Sequence, residues 1–255
     1  MITTQLITIV KACRDLFLEG YHSDKNIQFK GTVDLVTEYD LAIEKYLTEH
    51  LSVAFPEFTI VGEEQTTQIS HPSKAIYVDP IDGTTNFVHG IPFCAISVGM
   101  WEEGKPLAAI VYNPVLDECF TAQRGKGAFL NGTQINVSKQ REFQQSLLAT
   151  GFPYTKVEKG KDYEWVLQCM TTLLPITRDI RRLGAASIDL CYIACGKYDA
   201  FYECNLKPWD VAAGILILQE AGGKVSKQTG EAYHLDDHII VASNGLVHDV
   251  LLKYL

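Results

Sequence analysis

The chain has 255 residues, 47% of them hydrophobic and 21% charged, with a formal net charge of −9. This is an ordinary globular composition, long enough for one large core or two modest subdomains. No apolar run reaches the ~18–20 residues that cross a bilayer, and no Lys/Arg cluster marks a nucleic-acid groove, so neither a membrane nor a nucleic-acid partner is expected. In chain order, Leu6, Ile9, Val10, Cys13 and Phe17 recur at spacings of three and four and predict one amphipathic helix over about Thr4–Glu19. A second helix is predicted over Glu38–Ala54, carrying Ile43, Leu47 and Leu51, with Thr37 and Asp40 spaced as a capping box. A short apolar strand, Ala75–Val78, runs directly into Asp79. Strands over Phe93–Trp101, Leu107–Tyr112, Glu118–Gln123 and Gln134–Val137 follow, punctuated by turn signals such as Asn131-Gly132, and read as a largely antiparallel meander. Beyond Ser146 the pattern alternates: strand Leu147–Thr150, helix Tyr163–Leu174, helix Gly184–Cys195, strand Ala200–Glu203, helix Pro208–Ala221, strand Ile239–Ala242 and a terminal helix Val247–Tyr254. Pro208 in a first turn and Gly222 just past the end frame the Pro208 helix. The layout predicts two sheets with helices packed between and around them.

The first twenty residues mix apolar and charged positions and lack the apolar stretch of an export signal, so the expected location is the cytoplasm. The seven cysteines agree with that, since none forms a C-x-x-C pair. Cys191 and Cys195 lie four apart in a helical stretch and are read as small buried apolar side chains rather than zinc ligands.

Four segments concentrate chemistry: Val61-Gly62-Glu63-Glu64, the run from Asp79 to Phe87 (DPIDGTTNF), Arg181–Ala186 and Pro208–Ala212. In the second, an apolar strand ends at Asp79, Pro80 holds Asp79 extended, and a second carboxylate follows at Asp82. Two carboxylates with the Ile81 carbonyl between them make a compact all-oxygen site suited to a hard cation. If Gly83-Thr84-Thr85 opens a helix, its amides face a phosphate beside that cation. A metal there also lets an acidic protein bind a phosphate ester, because it reverses the local field. The same acids have plainer readings. Asp79 to Gly83 could be a capped turn, Glu63-Glu64 a solvated pair, and Asp210 a helix-start acid favoured by the macrodipole.

Taken together, Val61–Glu64, Asp79–Phe87 and Pro208–Ala213 resemble the upstream glutamate and the two signature motifs of the inositol monophosphatase family. The likeness extends to Gly31–Asp40, Val88–Val98 and Gly184–Glu203, in family order. The resemblance implies an α/β fold, a layered α-β-α-β-α sandwich. It implies one domain over 1–255, with approximate subdomains 1–145 and 146–255, and a homodimer. It also implies hydrolysis of a small phosphate ester, myo-inositol monophosphate foremost, by metal-activated water with two or three Mg²⁺ ions, and sensitivity to Li⁺. Carried over by position, Glu63, Asp79, the Ile81 carbonyl, Asp82 and Asp210 are the implied metal ligands. Gly83 and Thr84 match the phosphate-binding turn; Gly184, Ala185, Ala186 and Glu203 match polyol contacts; Arg181 matches a substrate-side arginine of bacterial-type members. Glu63, Ile81, Asp82 and Asp210 border the implied substrate as well. Thr84 with Asp40 is implied as a proton relay from the attacking water, against the capping role that Thr37 offers Asp40. Ala185 stands where the family often has Thr or Ser, and Lys30 matches a lysine near the metals. Related phosphatases act on fructose 1,6-bisphosphate, 3′-phosphoadenosine 5′-phosphate, histidinol phosphate or NADP. A catalytically silent binding protein on the same fold is the alternative of a different class.

Overall fold

The computed structural model describes residues 2–23, 27–29, 35–66 and 69–255. Lys30 and the first four residues of the Gly31–Asp40 run therefore lie outside the described residues. The first half contains α1 (Ile2–Ala12), α2 (Arg14–His22), β1 (Ile27–Phe29), β2 (Leu35–Thr37), α3 (Glu38–Ala54), β3 (Thr59–Gly62), β4 (Lys74–Asp82) and α4 (Thr84–Val88). Strands β5 (Ala95–Glu102), β6 (Lys105–Asn113), β7 (Glu118–Gln123), β8 (Ala128–Leu130) and β9 (Thr133–Ile135) follow. The second half contains β10 (Leu147–Thr150), α5 (Lys161–Leu173), β11 (Asp179–Arg181), α6 (Ala186–Ala194), β12 (Ala200–Cys204), α7 (Pro208–Glu220), β13 (Lys224–Ser226), β14 (Ile239–Ser243) and α8 (His248–Leu251).

Two large sheets organise the molecule. One has seven strands in sequence order from β3 to β9, antiparallel except for the parallel β3–β4 pair. The other has the order β11-β10-β12-β14-β13, with β10 parallel to both of its neighbours. Three apolar clusters fill the spaces between layers. Helices α6 and α7 lie between the sheets, where Tyr77, Trp101, Val111 and Phe120 of one sheet meet Phe201, Ile240 and Ala242 of the other. On the outer face of the seven-stranded sheet, α1, α2 and α3 bury Leu6, Val10, Phe17, Ile43, Leu47 and Leu51 against Ile76, Val98 and Ile110. Cys169 and Leu173 of α5 and Leu251 of α8 cover the outer face of the second sheet. The result is the α-β-α-β-α sandwich. Helix α7 is buried from Pro208 through Leu218, as a helix between two sheets must be. Gly99 lets it press on β5, since a Cβ there would lie 2.7 Å from the Ala212–Ala213 backbone.

The expected single N-terminal helix is two. Cys13 donates its N–H to Val10 at 3.1 Å, a tightened turn that ends α1 before α2 begins. Strand β8 is an addition to the expected strands. It pairs with β9 across Asn131 and Gly132, whose φ angles of 49° and 80° suit a tight hairpin turn. Short β3, β11 and β13 carry too few residues to show a period in sequence.

Candidate active site

Asp79 and Asp82 are three residues apart on β4, a spacing that sends side chains of a regular strand to opposite faces. The pairing with β5 breaks between them. Asp79 lies opposite Ser97 and Asp82 opposite Ala95, so three steps along β4 match two along β5. This one-residue bulge turns Asp82 back toward the side of Asp79. Pro80, which has no N–H to give the ladder, sits within it. The Ile81 N–H donates to Asp79 Oδ1 at 3.0 Å and fixes the bulge.

Gly83 then takes φ 85°, and a Cβ there would lie 2.8 Å from the Phe93 carbonyl, so glycine is required twice over. Helix α4 opens at Thr84, leaving its first amides without intrahelical acceptors. The Thr84 hydroxyl has two acceptors within reach, the Ile81 carbonyl at 3.0 Å and Asp40 Oδ1 at 3.4 Å. The other Asp40 oxygen accepts the Thr37 N–H at 2.8 Å and the Thr37 hydroxyl at 2.6 Å, closing the capping box of α3. The two readings of Asp40 thus use different oxygens of one carboxylate.

Asp82 is held from the opposite side. Ser187, in the first turn of α6, donates both its N–H (2.8 Å) and its hydroxyl (2.5 Å) to Asp82 Oδ2. Ala185 occupies the N-cap position of α6 without a side-chain cap, so the Asp82 carboxylate caps this helix from β4. Asp210 lies in the first turn of α7 and accepts the Lys207 N–H at 2.6 Å. Glu63 follows the end of β3 in the adjacent parallel strand. Asp79, Asp82 and Asp210 are 2%, 8% and 8% exposed. Burial pushes all three up, and Glu63 is the leading charge repelling each. The donations from Ser187 restrain Asp82 to about 6.

The cleft beside this cluster is lined by Asp82, Gly83, Thr84, Thr85, Phe152, Arg182, Gly184, Ala185, Ala186, Glu203 and Asp210, among others. Burial, partly offset by Arg182, pushes Glu203 up to about 8. Gly151, just past the end of neighbouring β10, leaves room for the Glu203 carboxyl, which a Cβ there would strike. The Asn86 amide donates to the Phe93 and Leu183 carbonyls, both at 2.7 Å, and ties α4 to the Leu183-Gly184 turn. Arg181, expected at the substrate, does not line the cleft. Its guanidinium pairs with Asp179 at 2.5 Å along β11, where Arg181 itself is exposed. The arginine that reaches the cleft is Arg182, 5.2 Å over the Phe152 ring.

Crowded carboxylates that repel one another in a buried setting, with no sulfur and no imidazole among them, fit hard divalent cations. Glu63, Asp79, Asp82, Asp210 and the Ile81 carbonyl are the groups able to hold them. The sequence matches the family model described as "Inositol monophosphatase family" over residues 1–255. The chain belongs to the inositol monophosphatase family. Membership places it among phosphoric monoester hydrolases. It is 40% identical to "Inositol monophosphatase 3" of Solanum lycopersicum, covering 98% of this chain and 94% of the relative. It is 42% identical to "Nus factor SuhB" of Pseudomonas aeruginosa, over 89% of this chain and 84% of that one. Among solved structures, the native extragenic suppressor protein suhB of Bartonella henselae superposes with a TM-score of 0.92. That protein is 35% identical, with 99% of this chain and 97% of that chain covered.

In this inositol monophosphatase family member, the elements that carry Glu63, Asp79, Ile81, Asp82, Gly83, Thr84 and Asp210 meet at one end of the sandwich. Gly184, Ala185, Ala186 and Glu203 line the same cleft. Ser187 and Gly151 carry no local signal in the sequence. Asn86 and Arg182 fall inside the Asp79–Phe87 and Arg181–Ala186 segments, where neither is assigned the contacts it makes here. All seven cysteines are free. Cys191 is buried, its thiol pushed well up by that burial.

Proposed function

We propose that this protein hydrolyses a small polyol phosphate monoester, myo-inositol monophosphate foremost, in a Mg²⁺-dependent reaction. The observation that carries this reading is the convergence of the Glu63, Asp79, Asp82 and Asp210 carboxylates beside the Gly83 turn, in a cleft whose far wall bears Glu203. When bound, two or three Mg²⁺ ions would neutralise phosphate charge and acidify water; Glu63, Asp79, Ile81, Asp82 and Asp210 would hold them, a third ion lying near Glu63. The Gly83 and Thr84 backbone orients the phosphate, a role suited to amides at a helix start. Thr84 Oγ1 takes a proton from the attacking water as its own passes toward Asp40 Oδ1, which lies within reach at 3.4 Å. Glu203 accepts hydroxyl groups of the polyol, and the Gly184–Ala186 segment packs against its ring.

The whole chain acts as one domain, as a homodimer in the cytoplasm. Seven free cysteines support a reducing compartment, and light scattering tests the dimer. A panel of phosphate esters assayed with Mg²⁺ tests the substrate. It should include fructose 1,6-bisphosphate, 3′-phosphoadenosine 5′-phosphate, histidinol phosphate and NADP. Preferred turnover of inositol monophosphate is the expected result, and preference for any of the others reassigns the substrate. No turnover of any ester would favour a silent binding protein.

A further inference from the structure

Helix α3 contributes a second buried carboxylate one turn beyond Asp40. Glu44 is 0% exposed. Its two oxygens accept the N–H groups of Glu64 at 2.8 Å and Gln65 at 2.9 Å. These amides belong to the turn that leaves β3 immediately after Glu63. Residues four apart share a helix face, so α3 presents Asp40 to the Thr84 turn and Glu44 to the Glu63 turn.

Gly62 supplies an independent sign that the arrangement is specific. Its φ lies outside the left-handed region, so the turn itself does not ask for glycine. A Cβ at Gly62 would, however, lie 2.5 Å from Glu44 Cδ and 2.7 Å from both carboxylate oxygens. A carboxylate is costly to bury, and an apolar side chain would fill this space without that cost. What the carboxylate adds is two fixed acceptors for one turn. Of the four clustered acids, Glu63 alone lies outside regular structure and is only half-buried, so its direction depends on that turn.

We propose that Glu44 is a positioning residue for the metal centre, a two-pronged clamp that aims the Glu63 carboxylate at Asp79, Asp82 and Asp210. This rests on the metal-dependent reading above. Glu44→Gln replaces one acceptor oxygen with an NH₂ group that cannot receive an amide proton. Calorimetric titration of Mn²⁺ into metal-stripped protein, with amide hydrogen exchange at Glu64 and Gln65, tests it. The expected result is at least about tenfold weaker binding at one site and faster exchange at both amides, the loss of an outer hydrogen-bond partner being worth ~10–100-fold in metal affinity. The Mg²⁺ half-saturation of activity should rise more than kcat falls. Gly62→Ala, which displaces the carboxylate from the other side, should give the same affinity loss and serves if Glu44→Gln does not fold. Wild-type affinity in either folded variant with only a lower Tm would overturn the inference. A wild-type protein that binds no divalent cation would instead overturn the metal reading, so the two failures are distinct.

Discussion

Replacing Asp210 by Asn separates two roles that meet in one carboxylate. Asp210 Oδ2 accepts the Lys207 N–H at 2.6 Å at the start of α7. The same group is pushed up by burial and by the charges of Glu63 and Asp82. An Asn carbonyl can still accept the amide, so the helix start loses no more than ~1 kcal/mol, or ~2–4 °C in a chain of this size. Against that loss stands the removal of one of four crowded negative charges, which favours the folded state at neutral pH. Metal-free Asp210→Asn should therefore melt no lower than wild type. In Mg²⁺ the order reverses. A ligand at 100 times its Kd adds ~2.7 kcal/mol to the protein that binds it, or ~5–10 °C here, and the variant forfeits most of this gain. Calorimetric melting with chelator and with Mg²⁺, beside phosphate-release kinetics, reads all three quantities. Turnover should drop ~100-fold or more, since a metal ligand is lost. A variant that melts ~2–4 °C lower without metal, keeps its Mg²⁺ shift and keeps its kcat would refute this reasoning and leave Asp210 a helix-start acid.

Ser187→Ala removes the hydroxyl donated to Asp82, and the Mg²⁺ half-saturation should rise about tenfold with the fold intact, as for the outer partner of a metal ligand; an unchanged half-saturation would count against it. Asp40→Asn should lower kcat strongly while costing ~1 kcal/mol or less in stability, and an unchanged pH–rate profile and kcat would return Asp40 to the capping box alone. His248 is fully buried between Ser226 and Ser243, and burial, followed by Lys224, pushes it down from 6.5 to about 4. Between those values the unfolded chain takes up a proton that the folded chain refuses. Stability should therefore fall by up to ~3 kcal/mol as pH drops from 6.5 to 4, and urea unfolding of His248→Gln should show that slope largely gone. Li⁺ should inhibit the Mg²⁺-dependent reaction, and undiminished turnover at high Li⁺ would remove that expectation.

The layered fold was legible because its long elements carry clear periods. Ile43, Leu47 and Leu51 mark α3, and Pro208 with Gly222 frames α7. The candidate site was legible where its chemistry is contiguous, as in Asp79–Phe87. The bulge that brings Asp82 round beside Asp79 was not legible, since Pro80 there indicates only an extended Asp79. What stayed hidden is whatever depends on contacts distant in sequence. Ser187 reaches Asp82 across 105 positions, and Glu44 reaches Glu64 across 20. Neither leaves a local pattern. The arginine pair failed for a different reason: adjacent residues of an extended segment point to opposite sides, and composition cannot say which faces the cleft. Asp179, two residues before Arg181 and thus on its side of β11, decides it by pairing with Arg181.

Phosphate release from myo-inositol 1-phosphate by metal-stripped protein, followed as Mg²⁺ is added back, reads the metal-dependent hydrolysis itself. No turnover in chelator, saturable recovery with Mg²⁺, and no recovery in Asp79→Asn under the same conditions are the expected results. Turnover undiminished by excess chelator, or a fully active Asp79→Asn, would contradict it.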